Sequence, residues 1–138
     1  MEIANWNNVA VLTSTVDSAI DAERLAQTAV QARVAACVQI EAIHSHYEWQ
    51  GSLERSAEWR LVFKTLPEAV DELLAWLKAE HPYEVPQLLL RMEAAHPDYA
   101  GWVAAQVDIK KSELPTLIKK GLQILLYLKS LLCKRKAL

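Results

Sequence analysis

Pro82 follows directly on His81 and, with Pro86, brackets Tyr83-Glu84-Val85, so no helix can run through residues 81–86. Each proline lacks an N–H and pushes the residue before it out of the α region. A stiff bend must stand here, aiming an imidazole, a phenol and a carboxylate. The fold therefore consists of elements built before the bend and one element hung from it.

The elements before it follow from periodicity. Val9-Ala10-Val11-Leu12-Thr13 is a short apolar run, β-branched at both ends, and predicts a buried strand. Ser18 with Asp21 three residues on forms a capping pair, Asp17 being the competing cap. Ala22, Leu25, Ala26, Ala29, Val30 and Arg33 then recur at helical spacing, opposite Asp21, Glu23, Arg24, Gln27 and Gln31. A second strand starts near Ala35-Ala36-Cys37 and continues through Ile43, His46, Tyr47 and Trp49 to a turn at Gln50-Gly51-Ser52. Gly51 supplies the positive φ that a tight hairpin needs. The return strand alternates Trp59, Leu61 and Phe63 with Arg60, Val62 and Lys64. Pro67 and Glu68 open a second helix with the stripe Val70, Leu73, Leu74 and Leu77. After the bend, Gln87 to Met92 reads as a strand, and Asp98 can cap a short helix carrying Tyr99, Trp102 and Val103.

This order, β-α-β-β-α-β with a short terminal helix, is an α+β ferredoxin-like sandwich. Two helices cover one face of a four-stranded sheet. The other face, with Tyr47, Trp49 and Trp59 on the hairpin, is too aromatic to be left in water and predicts self-association or ligand binding.

Charge divides the chain. Residues 1–107 carry 7 Lys/Arg against 15 Asp/Glu, a net of −8, whereas residues 108–138 carry 8 against 2, a net of +6. The expected units are a domain over 1–107 and a basic amphipathic helical extension over 108–138. No stretch is long and apolar enough for a transmembrane helix, and the N-terminus lacks the basic region of a signal peptide, which points to the cytoplasm. Cys37 and Cys133 have no zinc or redox spacing.

Five motifs stand in order: Arg33-Val34-Ala35-Ala36-Cys37-Val38, Tyr47-Glu48-Trp49-Gln50-Gly51, Glu58 with Lys64-Thr65, His81 to Pro86, and Tyr99-Ala100-Gly101-Trp102. Together they resemble the CutA family of divalent-cation-tolerance proteins over about residues 9–106. The resemblance implies a ferredoxin-like protomer in a tight homotrimer, with hairpins pairing between subunits. It also implies a role in tolerance to copper or other divalent cations and no catalytic reaction. Some members carry a cysteine late in the first strand and a His-His pair before Pro-Tyr; Ser14 and Glu80 stand at those places here, leaving His81 of that set.

Candidate metal ligands for Cu2+ or another divalent cation are His81 and Cys37, with a loop histidine and a small buried hydrophobe as the plainer readings. Glu58 and Lys64 share a strand face and form either an ion pair or, with Tyr47, Trp49, Tyr83, Glu84 and Trp102, a pocket between subunits. His44 and His46 also share a face, at a spacing that can chelate a metal, and read as a surface pair. His96-Pro97 reads as loop. Glu41-Ala42 replaces the family's Pro-Gly, straightening the strand there.

In the extension, Leu114, Leu117, Gly121, Ile124, Leu128 and Leu131 alternate in steps of three and four, widened by Ile118, Leu125 and Leu132. Self-association or partner capture is the favoured role; fold-back on the acidic body and membrane-surface contact are the others. The abrupt change in composition also fits an appended or engineered segment. The three glycines form no phosphate loop, no nucleophile elbow or HExxH occurs, and the acidic body lacks RNA-binding aromatic-glycine motifs. Neither enzyme activity nor nucleic-acid binding is expected. Besides cation tolerance, a small-molecule sensor or trimeric scaffold built on the inter-subunit pocket is the alternative function.

Overall fold

The computed structural model describes residues 3–108. After a short 3-10 turn at Ile3–Asn5 the elements are β1 (Asn7–Val16), α1 (Ala19–Gln31), β2 (Cys37–Trp49), β3 (Ser52–Thr65), α2 (Val70–Glu80), β4 (Leu89–Ala95) and α3 (Pro97–Gln106). The four strands form one antiparallel sheet in the order β2-β3-β1-β4, the ferredoxin-like arrangement. No helix among the described residues is long and apolar enough to cross a membrane. The helical reading of the basic extension, from Leu114 to Leu132, lies outside the described residues.

β1 is longer than its apolar run because Ser14 and Thr15, polar but buried, find partners elsewhere in the fold. Strand parity places Leu12 and Val16 on one face of the sheet with Leu61 and Phe63 of β3. There α1 buries Ala22, Leu25 and Ala29, and α2 buries Leu73 and Leu77. Val9 points to the opposite face, where Ala100 and Val103 of α3, together with Val107, close one end of the sheet. β4 is covered far less: Leu89, Leu90 and Met92 are 59%, 47% and 47% exposed.

Local chemistry accounts for the ends of the elements. Ser18 caps α1, its Oγ accepting from the Asp21 N–H at 3.0 Å, so Asp17 is not the cap. At the other end Arg33 is not part of the helix stripe. It takes a left-handed conformation at φ 58, with its N–H donating to the Val30 carbonyl at 3.0 Å and that of Val34 to Ala29 at 3.2 Å. This is the Schellman ending that glycine usually makes. The strain at Arg33 is offset by what its left-handed turn positions: Nη2 donates to the Ala105 carbonyl at 3.1 Å, and the Arg33 carbonyl accepts from the Asp108 N–H at 3.1 Å. One residue thus ends α1 and ties down the end of α3.

The hairpin loop is two residues, Gln50 at φ 49 and Gly51 at φ 80, and both positive values mark the I′ type that matches strand twist. Its register continues unbroken from Trp49↔Ser52 to Cys37↔Lys64, so β2 runs straight through Glu41-Ala42. β1 pairs with β3 only from Trp59 to Thr65, and the rest of the hairpin projects as an arm. Before α3, His96 is the N-cap, its Nδ1 accepting from the Asp98 N–H at 3.2 Å, and Pro97 is the first helical residue. An imidazole fills the place expected for Asp98, and the expected loop is a helix start.

Candidate functional site

α2 ends where the proline-bracketed segment begins. The His81 N–H still bonds the Leu77 carbonyl at 2.8 Å, but its backbone is already extended. The turn carries the imidazole into the end of the sheet, leaving His81 8% exposed. Its protonation pattern follows from its partners. The Tyr83 N–H donates to Nδ1 at 3.0 Å, so Nδ1 carries no proton. The remaining N–H is on Nε2, which donates to the Thr15 carbonyl at 3.1 Å and lies 3.0 Å from Ser14 Oγ. Both nitrogens are committed, and a metal at His81 would have to displace one of these bonds.

Ser14 and His81 have the spacing of a nucleophile and its base, but their arrangement does not support that chemistry. A general base needs an unprotonated nitrogen toward the hydroxyl, whereas Nε2 holds the proton, and Ser14 is fully buried. The histidine is a corner brace between β1, α2 and the bend.

Burial pushes the His81 imidazole below its ordinary value of 6.5, more strongly than the Thr15 carbonyl and Asp21 raise it; Arg24 adds to the lowering. The folded chain therefore binds this proton less readily than the unfolded chain does. The resulting stability is complete above about pH 6.5 and is lost as pH falls through the depressed folded value, at no more than about 1.4 kcal/mol per pH unit for one proton. Denaturant titrations between pH 7 and pH 4.5 should show this loss, and it should be smaller in His81→Gln. An equal acid dependence in that variant would assign the effect elsewhere.

Tyr83 extends the corner toward the hairpin. Its hydroxyl donates to Glu58 Oε2 at 3.5 Å, and its pKa is pushed up to about 12 by burial first, then by the charges of Asp17 and Glu58. The phenol stays a neutral donor. On the arm, Ser56 Oγ donates to the Tyr47 hydroxyl at 3.4 Å. At the other end of the sheet, Lys64 Nζ lies 5.9 Å from the Tyr99 ring centre, and Tyr99 stacks on Trp102 with centroids 5.9 Å apart.

The expected pocket residues thus fall into two groups within one chain. Tyr83 and Glu58, with Tyr47 beside Ser56, form one; Lys64 and Trp102, joined through Tyr99, form the second. Glu58 and Lys64 do share a face, but six strand residues separate them by roughly 20 Å, so the expected ion pair between them does not form. Trp49 is 62% exposed near the tip of the arm, and Glu84 is exposed on the bend. A shallow depression of about 310 Å³ is lined by Thr13, Glu41, Arg60, Val62, Leu89, Leu90 and Arg91, none of them a candidate residue.

The candidate metal ligands are not brought together. Cys37 opens β2 opposite Lys64, on the face away from α1 and α2, whereas His81 reaches Ser14, which pairs with Leu61 on the covered side. Cys37 is half-buried, so it is not the enclosed hydrophobe expected. Among the described residues no three of His, Cys, Asp or Glu gather as a metal-binding group, so these residues alone do not fit a closed metal centre. Ser14, Thr15 and Tyr99 are the participants that periodicity missed. The polar triplet Thr13-Ser14-Thr15 following an apolar run was the available signal for the first two.

The profile of the family described as CutA1 divalent ion tolerance protein matches residues 10–106. The chain belongs to the CutA1 family. The divalent-cation tolerance protein CutA of Pectobacterium atrosepticum is 36% identical over 101 residues, covering 72% of this chain and 91% of that protein. CutA of Synechococcus elongatus superposes with a TM-score of 0.70 at 38% identity, covering 73% of this chain and 91% of that one. The same cyanobacterial CutA complexed with a Bis-Tris molecule gives a TM-score of 0.67 at 37% identity, with coverages of 72% and 94%. The CutA1 match ends at Gln106, the last residue of α3, and contains both aromatic groups and the whole bend. The family links the chain in general terms to divalent-cation tolerance.

Proposed function

We propose that this CutA1-family chain acts in divalent-cation tolerance, copper included, as a homotrimer whose subunit boundaries form the functional cleft. The supporting observation is β4, an edge strand that leaves Leu89, Leu90 and Met92 largely uncovered. Such an edge invites pairing with another copy, and a head-to-tail contact that closes into a ring gives it a partner without forming fibres. The same closure sets the Tyr83–Glu58 group of one protomer against the Lys64–Tyr99–Trp102 group of the next. Cation binding is then weak or shared between subunits, consistent with the incomplete ligand set among the described residues of a single chain. The basic residues 108–138 add further assembly or partner contacts.

Light scattering of the full chain should give three times its 15.6 kDa mass, or a multiple of that trimer, and Leu90→Glu should dissociate it. A monomer at micromolar concentration would overturn the reading. The Bis-Tris complex of the Synechococcus protein favours a second one, in which the same cleft senses a small polar molecule. Copper sensitivity unchanged by removal of the protein would favour it.

A further inference from the structure

The cation reading above does not use His44 and His46, yet these residues show the most metal-ready geometry among the described residues. Both are exposed on β2 and alternate with the half-buried Ile43 and Ser45. The unbroken register with β3 leaves no bulge to turn either side chain away, so the two imidazoles leave the same face. Their Cα atoms are roughly 6.6 Å apart at a strand rise of about 3.3 Å per residue. Two side chains of this length can converge on one ion at metal–nitrogen distances of about 2 Å. Neither ring makes a hydrogen bond or ion pair, in contrast to His81, whose two nitrogens are both committed.

We infer that His44 and His46 form an open, bidentate site for a borderline divalent cation such as Cu2+, Ni2+ or Zn2+ on the projecting hairpin arm. Imidazole nitrogen suits these ions and not Mg2+ or Ca2+. Water completes the coordination, and the ion exchanges readily. Across the ladder, Ala57 stands opposite His44 and leaves room for the ion, while Arg55 stands opposite His46 and opposes it by charge. Glu48, two residues beyond His46 on the same face, partly compensates. The pair lies on the face that α1 and α2 cover further down the sheet, opposite the face of Glu58 and Lys64. The site is contained in one strand and needs no second copy.

The test is calorimetric titration of CuCl2 into the full-length, untagged protein, beside retention on a Cu2+-iminodiacetate column. The wild type should bind one ion per chain. His44→Ala and His46→Ala should each weaken binding on the order of tenfold or more and elute early, with unchanged mass and thermal midpoint. Arg55→Ala should tighten it. A site weakened by His81→Gln and indifferent to His44→Ala would overturn this inference and leave the cation role standing. Absence of stoichiometric Cu2+ uptake by the wild type would overturn it outright, while a monomer by light scattering would overturn only the trimer.

Discussion

His81→Ala is expected to destabilise the folded chain by about 3 kcal/mol, the order anticipated when a buried hydrogen-bonding hub is removed and its partners are left behind. Three groups lose their partner: the Tyr83 N–H, the Thr15 carbonyl and the Ser14 hydroxyl. Ser14 is fully enclosed and Thr15 nearly so, and water reaches neither without opening the end of the sheet. Urea unfolding should show a lower midpoint at unchanged slope. His81→Gln, which keeps one donor and one acceptor, should recover part of the loss. A change under about 1 kcal/mol for alanine would mean that the bend holds itself through its prolines and that the imidazole is incidental.

Phe63→Ala should cost about 3–5 kcal/mol, the range for emptying a large aromatic site. The ring has no exposure and sits where the sheet meets both helices, across from Leu12 on β1 and Val38 on β2. Phe63→Leu should retain most of the stability, because the remaining volume is apolar and branched. Thermal midpoints of the two variants would check this; similar losses for Ala and Leu would show that ring geometry, not filled volume, is what the core requires.

Much of this core could be read from residue spacing. The alternation of Leu61 and Phe63 with Val62 and Lys64, the Ser18 cap and the Gln50-Gly51 turn are local signals, and each survives in the structure because tertiary contacts reinforce it. Other features depend on distant partners. Ser14 and Thr15 are buried because a histidine 67 residues from Ser14 supplies what the backbone and hydroxyl need. Arg33 adopts a glycine-like conformation while its side chain reaches Ala105. His96 caps a helix in place of the usual small polar residue. The candidate site shows the same division. Spacing correctly placed Glu58 and Lys64 on one face, but it carried no information on whether two ends of a sheet meet a second copy. For His44 and His46, spacing gave the shared face, and the unbroken ladder gave the rest.

The strand order has a consequence for synthesis on the ribosome. β1 leaves the exit tunnel first, yet it belongs in the middle of the sheet, between β3 and β4. Its first neighbour is not complete until residue 65 and its second not until residue 95. The hairpin of β2 and β3 can close on itself through a two-residue loop, but β1 has no strand partner while α1 and β2 are being made. For that interval the most buried strand of the domain must be sheltered by something other than its own sheet.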